Sequence, residues 1–120
     1  MDERARFIEH QGERIFVIDF SGCTAGEILA IVAKAQAQIT EQPRNSVLAL
    51  ADFTGAQLDR SVARRIKEAL VFDRPHVKRS AWVGTESLPK VFYDNFKSFS
   101  QRDFPTFKTR EEAMAWLVKK

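Results

Sequence analysis

Two short apolar segments near the start of the chain predict a β-hairpin. Residues 6–10 and 14–20 are rich in Phe, Ile and Val, and Gln11-Gly12-Glu13 separates them. Glycine tolerates the positive φ that a tight hairpin turn demands. The second segment is apolar at nearly every position from Ile15 to Phe20, which is typical of a strand covered on both faces.

After the hairpin, the spacing of apolar residues changes from strand-like to helical. Ser21-Gly22-Cys23 interrupts the strand, and Thr24 with Glu27 has the spacing of a capping box, in which side chains satisfy the open N–H groups of a helix. Pro43 and Asn45 end this helix. Its apolar residues recur every three or four positions and predict one buried stripe: Ile28, Ile31, Val32, Ala35 and Ile39.

The middle of the chain repeats the strand and helix pattern. Residues 46–51 form an apolar run between chain-breaking residues, so we expect a buried strand there. Asp59 or Ser61 can cap a second helix, and residues 80–83 predict a further parallel strand that ends at Gly84. The buried stripe of the second helix is predicted to be Val62, Ile66, Ala69 and Leu70.

An aromatic stripe predicts the third helix. Leu88, Phe92, Phe96 and Phe99 follow one another at helical spacing. Residues 104–108 form a short last strand, which Pro105 places at a sheet edge because proline cannot donate to a central ladder. Thr109 and Glu112 repeat the capping-box spacing, and the final helix buries Ala113, Trp116 and Leu117.

These elements occur in the order ββαβαβαβα. Alternation after an opening hairpin predicts an α/β fold with a single mixed, mainly parallel five-stranded sheet. We expect about four helices packed on this sheet and one domain over residues 1–120.

Composition excludes several classes of protein. The chain has 120 residues, of which 44% are hydrophobic and 29% charged, and this balance suits a packed core rather than disorder. No apolar run approaches the ~20 residues that a membrane-spanning helix needs. The charged residues 1–7 lack the apolar stretch of a signal peptide, and the single cysteine excludes an internal disulfide. We therefore expect a cytoplasmic protein without a transmembrane segment.

Basic residues cluster in one stretch of the chain. Positions 60–79 contain seven Lys or Arg residues against two acidic ones, Glu68 and Asp73, so the stretch carries a net charge of +5. A positive field attracts an anionic partner, although a solvated helix face has a similar composition. Nucleic-acid binding would need a larger patch with interleaved aromatic residues, so we do not expect it.

The four-residue pattern D-F-[ST]-G occurs at residues 19–22 and again at 52–55. Each copy lies where a predicted strand ends and a helix follows, and it suits a tight turn with glycine at positive φ. The carboxyl ends of parallel strands are also where open α/β sheets bind ligands. The candidate polar site at this edge comprises Asp19, Ser21, Asp52, Thr54 and Thr85.

The sequence contains none of the familiar catalytic or metal-binding motifs. His10 and His76 lack metal-ligand spacing, and Cys23, at a helix start, is either a reactive thiol or a small packed residue. No glycine-rich phosphate loop, nucleophile elbow or paired-carboxylate motif occurs. We expect no catalytic residue, no metal and no cofactor.

Aromatic residues concentrate toward the end of the chain. Six of the ten Phe residues occur from Phe72 onward. This concentration suits a core between the last helices and the sheet, a dimer face, or a pocket for an apolar ligand. The candidate pocket residues are Phe92, Phe96 and Phe99.

The order of elements, with the sequences RFIEHQGERIFVIDFSG, SVLALADFTGAQLDRSV, AWVG and FPTFKTREEAMAWL, resembles the STAS domain. The similarity is greatest to its SpoIIAA-like branch, mostly uncharacterised bacterial proteins that are also grouped with CRAL-TRIO lipid-binding domains. The resemblance covers nearly the whole chain, and its motifs concern the fold rather than catalysis.

In STAS antagonists of anti-sigma factors, a D-S-S-G turn opens a helix and a kinase phosphorylates one of its serines. The resemblance implies that Asp59 matches the aspartate of that turn and Ser61 the phosphorylated serine. Arg60 replaces the first serine and Val62 the glycine. A phosphate on Ser61 would lie near a helix N-terminus and beside Arg60 and Arg64, which would stabilise it.

Two functions of different kinds remain open from the sequence. The first is a non-enzymatic regulatory or protein-interaction module of the STAS type, alone or as a homodimer, with an exposed Ser61 and a basic helix face. The second, implied by the CRAL-TRIO similarity, is a carrier of a small apolar ligand or lipid, with an enclosed pocket between the third helix and the sheet. An enzyme would need polar groups with shifted pKa values at the strand ends.

Overall fold

The apolar runs form the strands of one sheet. The computed structural model describes residues 4–100 and 105–119. The strands lie side by side in chain order, with β1 antiparallel to β2 and the other neighbours parallel. The predicted α/β class, with one mixed five-stranded sheet, is confirmed. The strands are β1 (Ala5–His10), β2 (Glu13–Asp19), β3 (Val47–Asp52), β4 (Val77–Val83) and β5 (Thr106–Phe107).

Within these described residues, four α-helices accompany the sheet, as the helical spacings predict. They are α1 (Ala25–Ile39), α2 (Arg60–Asp73), α3 (Lys90–Ser100) and α4 (Arg110–Leu117). The order of elements differs from the predicted one by two short 3-10 helices, Arg74–His76 and Thr85–Ser87. Pro75 explains the first of these, because proline lacks an N–H and cannot continue the hydrogen-bond ladder of α2.

The helices α1 and α2 begin at side-chain caps that the sequence predicts. The capping box of α1 is complete: the Glu27 amide donates to Thr24 Oγ1, and the Thr24 amide donates to Glu27 Oε1 at 2.9 Å. At α2 the cap is Asp59, whose carboxylate accepts a hydrogen bond from the Val62 amide at 2.8 Å. Ser61 is therefore the second residue of α2 rather than its cap.

Helices cover both faces of the sheet unequally. Connections between successive parallel strands are right-handed, so α1, α2 and α3 pack on the same face, where they bury Phe16, Phe53 and Trp82. On the opposite face α4 covers Leu50 and Val83. Burial on both faces explains why the central strands are almost continuously apolar.

Gly84 allows the turns that follow β3 and β4 to lie in close contact. It follows β4 with φ +73°, and a Cβ built on it would lie 2.3 Å from Thr54 Oγ1 and 2.5 Å from the Thr54 amide nitrogen. Thr54 belongs to the turn after β3. The two turns therefore pack backbone against backbone, which only glycine permits.

We expect Gly84→Ala to lower the free energy of unfolding by about 2–4 kcal/mol, because it combines a left-handed backbone with a collision against Thr54. Urea denaturation measures this loss. Gly12→Ala is the matched control: Gly12 has φ +81° with nothing within 4 Å of the added Cβ, so it should cost about 1–2 kcal/mol. Equal losses in the two variants would show that the close approach is unimportant.

Candidate functional site

The repeated D-F-[ST]-G pattern forms the same turn twice, side by side. Asp19 and Asp52 end neighbouring parallel strands and are paired in register. Each carboxylate accepts a hydrogen bond from the amide two residues later, Ser21 and Thr54 respectively, both at 3.0 Å. The Gly22 amide donates to the Thr54 carbonyl at 2.8 Å, so the two turns are also joined directly.

Arg110, the first residue of α4, bridges the two aspartates. Its Nη2 lies 3.0 Å from Asp19 Oδ1 and its Nε lies 2.7 Å from Asp52 Oδ2. The side chains of Asp52, Asp19 and Arg110 are 8%, 20% and 32% exposed. Sequence analysis missed Arg110. A cation at the first position of a helix opposes the helix dipole, and that unfavourable placement is the signal that could have identified it.

The charges in this Asp19–Arg110–Asp52 cluster stabilise one another. Burial raises the pKa of Asp19, but hydrogen bonds from Ser21 and the positive charge of Arg110 outweigh burial and hold that pKa below its ordinary value. Burial lowers the pKa of Arg110, whereas its hydrogen bond to Asp52 and the charge of Asp19 raise it above its ordinary value. Arg4 adds a second cation 3.7 Å from Asp19 Oδ1.

This arrangement is suited to holding elements together rather than to proton transfer. A general base requires a pKa near the working pH, whereas that of Asp19 is lowered. Oδ2 of Asp52 accepts from Arg110, and its Oδ1 accepts from the amide and hydroxyl of Thr54. The cluster therefore links the ends of β2 and β3 to the start of α4.

Thr85, the remaining predicted member of this site, lies in the 3-10 helix after β4. Its side chain is half-buried, and its carbonyl accepts a hydrogen bond from the Leu88 amide at 2.9 Å. The contact between the β4 end and the cluster is made by Gly84 against Thr54 instead.

We expect Asp19→Asn to lower the free energy of unfolding by about 1–2 kcal/mol at pH 7, because the variant loses a charged partner of Arg110. The folded-state pKa of Asp19 is lowered. The stabilisation is therefore present above the unfolded pKa of about 3.9 and disappears as the pH falls through the folded value. Urea denaturation of both proteins from pH 7 to pH 2.5 measures the difference.

Asp94→Asn is the control for this titration. Asp94 pairs with Lys90 in an exposed i,i+4 ion pair, and such pairs contribute about 0.5 kcal/mol or less. A difference between wild type and Asp19→Asn that stays constant down to pH 2.5 would contradict the assignment.

The second candidate site, at the start of α2, faces solvent. Asp59, Arg60, Ser61 and Arg64 are all exposed. Within residues 4–100 and 105–119, Arg60 and Arg64 form no ion pair. These two cations and the helix N-terminus outweigh the one carboxylate at this helix end, that of Asp59, so the surface around the Ser61 hydroxyl is net positive.

Two of the three predicted aromatic pocket residues, Phe92 and Phe96, lie in or near the core. Phe96 is fully buried, with its ring centroid 5.7 Å from that of Trp82 in an edge-to-face arrangement. Phe92 is partly buried against the same cluster. Phe99 lies outside the residues whose side chains the structure describes.

An apolar cavity of about 60 Å³ lies instead between α1, α2 and the sheet. Neither Phe92 nor Phe96 lines it. Four alanines from three elements, Ala35, Ala49, Ala51 and Ala69, are among its lining residues, and their small side chains leave the space unfilled. Ligand pockets usually have volumes of about 300–1,000 Å³, so this cavity is too small for a lipid chain.

We expect Ala51→Val to raise the free energy of unfolding by about 1 kcal/mol, because the added methyl groups enter the cavity and valine suits a strand. Ala81→Val is the matched control. Ala81 is fully buried on the opposite face of the sheet, away from the cavity, so overpacking there should cost about 1–3 kcal/mol. Thermal unfolding of both variants checks the opposite signs. Destabilisation by both would show that the cavity cannot take the added volume.

The cysteine and His76 have structural surroundings. Cys23 is 1% exposed, and burial raises the pKa of its thiol, which disfavours the reactive thiolate. His76 Nδ1 lies 2.7 Å from the Gln42 carbonyl and links the chain after α1 to the 3-10 helix. The described residues contain no group of three or more metal-ligating side chains. In the same part of the chain, every helix is too short or too polar to cross a bilayer.

No protein-family model, curated protein sequence or solved structure matches this chain. The fold and the surfaces described above therefore carry the functional argument.

Proposed function

We propose that this chain is a non-enzymatic, STAS-like protein-interaction module of the SpoIIAA-like kind, which binds a protein partner through the start of α2. The observation that carries the proposal is the exposed group of Arg60, Ser61 and Arg64, which has no acidic partner within the described residues. An interaction surface requires exposed charged side chains that no internal partner neutralises, because such side chains remain available to another molecule.

Ser61 is the proposed regulatory position within this surface. It is the second residue of α2 and is exposed. A phosphate there would face the positive end of the helix dipole and the nearby guanidinium groups, so it would be accommodated without disturbing the fold. Because Asp59 rather than Ser61 caps the helix, modification of Ser61 would leave the cap intact.

The other candidate sites give less support to catalysis or to ligand transport. The carboxylates of the Asp19–Arg110–Asp52 cluster are already bonded to Arg110 and to their own turns. The cavity of about 60 Å³ is small for a lipid. The cluster therefore has a sufficient structural role and the cavity lacks the volume for a lipid chain, whereas the exposed side chains of Arg60 and Arg64 form no ion pair within the described residues.

Native mass spectrometry of the protein purified from its own host tests the proposal. We expect a complex with a second polypeptide, and a covalent mass increase of one phosphate on Ser61 in the fraction without that partner. Ser61→Asp should weaken the complex by roughly tenfold, because its negative charge neutralises part of the positive surface that contacts the partner. Ser61→Ala should retain the complex and lack the phosphate.

Ser46→Asp is the matched control, since Ser46 is also exposed but lies in the loop before β3. It should leave the complex unchanged. The proposal fails if the wild-type chain carries no protein partner, or if a small molecule that is released on denaturation occupies the chain in stoichiometric amount.

A further inference from the structure

We propose that the partner's contact surface is an acidic segment that also carries an apolar side chain, and that it lies along the whole outer face of α2 as far as Val71 and Phe72. This inference rests on the proposed function and specifies the chemistry of the partner. Two observations lead to it: the charge that the fold leaves on this face, and the apolar residues at its far end.

In the folded chain, acidic residues are a smaller share of the charged residues on the outer face of α2 than the sequence alone suggests. Arg79 is turned to the opposite face of the sheet, where its Nη1 lies 3.3 Å from the Leu117 carbonyl at the end of α4. Asp73 is 8% exposed and lines the cavity. Within α2 and the 3-10 helix that follows it, basic residues consequently outnumber exposed acidic ones by five to one, the acidic residue being Glu68. A surface of this charge is complementary to an acidic one.

Apolar residues are exposed at the last turn of α2. Phe72 is 60% exposed and Val71 44% exposed. They are two of the three large hydrophobic residues exposed in the described part of the chain, the third being Val91 on α3. Aromatic residues and arginines are the residue types that are enriched at interface hot spots, and α2 exposes both. Residues 61, 64, 68 and 72 share one face of the helix, which spans about 18 Å between Arg60 and Phe72.

These features favour a protein segment over a bilayer as the occupant. A helix that lies in a membrane surface buries a continuous apolar face in the lipid. The apolar face of α2, comprising Val62, Ala63, Ile66 and Ala69, is already buried in the core. The outer face of α2 therefore has exposed apolar side chains only at its last turn, and the charged residue Glu68 lies one turn before them. An acidic protein segment needs only such a local apolar contact.

The test is photo-crosslinking in the protein's own host, with p-benzoylphenylalanine placed at position 64, 72 or 91 of the full chain. We expect positions 64 and 72 to crosslink to one polypeptide, and position 91 to give none of that product. Mass spectrometry of the crosslinked peptide should show a segment with net negative charge and an apolar residue at the site joined to position 72.

Affinity measurements with the identified partner complete the test. Phe72→Ser and Arg64→Glu should each weaken binding by roughly tenfold while leaving Tm unchanged. The matched controls Val91→Ser and Lys34→Glu, on other helices and also exposed to solvent, should change binding by less than about twofold. Exchange of the partner's acidic residue for arginine should restore binding to Arg64→Glu.

The outcomes separate this inference from the proposed function. A partner that crosslinks to position 64 but not to 72, or through a neutral or basic segment, overturns the inference and leaves the interaction module standing. Crosslinks to lipid, or only to a second copy of this chain, also overturn the inference. If neither position yields any partner, both proposals fail.

Discussion

The ion pairs of Arg110 with Asp19 and Asp52 are the interaction on which the arrangement of the sheet edge depends. Two carboxylates at adjacent strand ends repel each other, and a guanidinium in the first turn of α4 opposes the helix dipole. Each unfavourable placement is compensated by the others at distances of 2.7 and 3.0 Å. The three groups come from β2, β3 and α4. Their contacts therefore fix the position of α4, which covers one face of the sheet, relative to strands whose other face is covered by α1, α2 and α3.

Local sequence patterns predict most of the fold, whereas contacts between residues that are distant in the chain cannot be predicted from them. The hairpin, the parallel strands and the four helices follow from apolar spacing and from caps such as Thr24 and Asp59, which act within a few residues. The turns at Asp19 and Asp52 are also local, and their repetition is visible in the sequence. Arg110 is 58 residues from Asp52, so the contact between them exists only once α4 has docked.

The cavity illustrates a second limit of sequence reasoning. An alanine in an apolar stripe indicates a buried position, but not how far it lies from the alanines of other elements. Ala35, Ala51 and Ala69 come from a helix, a strand and another helix, and they leave a space because the backbone spacing in this layer cannot close around them. Phe92 and Phe96 of α3, which helped to suggest a pocket, are packed in the core cluster around Trp82 instead.

The two tryptophans of the chain lie on opposite sides of the sheet. Trp82 is buried between the sheet and the three-helix layer, in contact with Phe53 and Phe96. Trp116 belongs to α4 and lies partly exposed beneath the guanidinium of Arg79. Each layer therefore contains its own fluorophore. The fluorescence of a variant that retains only one tryptophan reports on the unfolding of the layer that contains it. Two such variants show, without an added label, whether the two layers unfold together or separately.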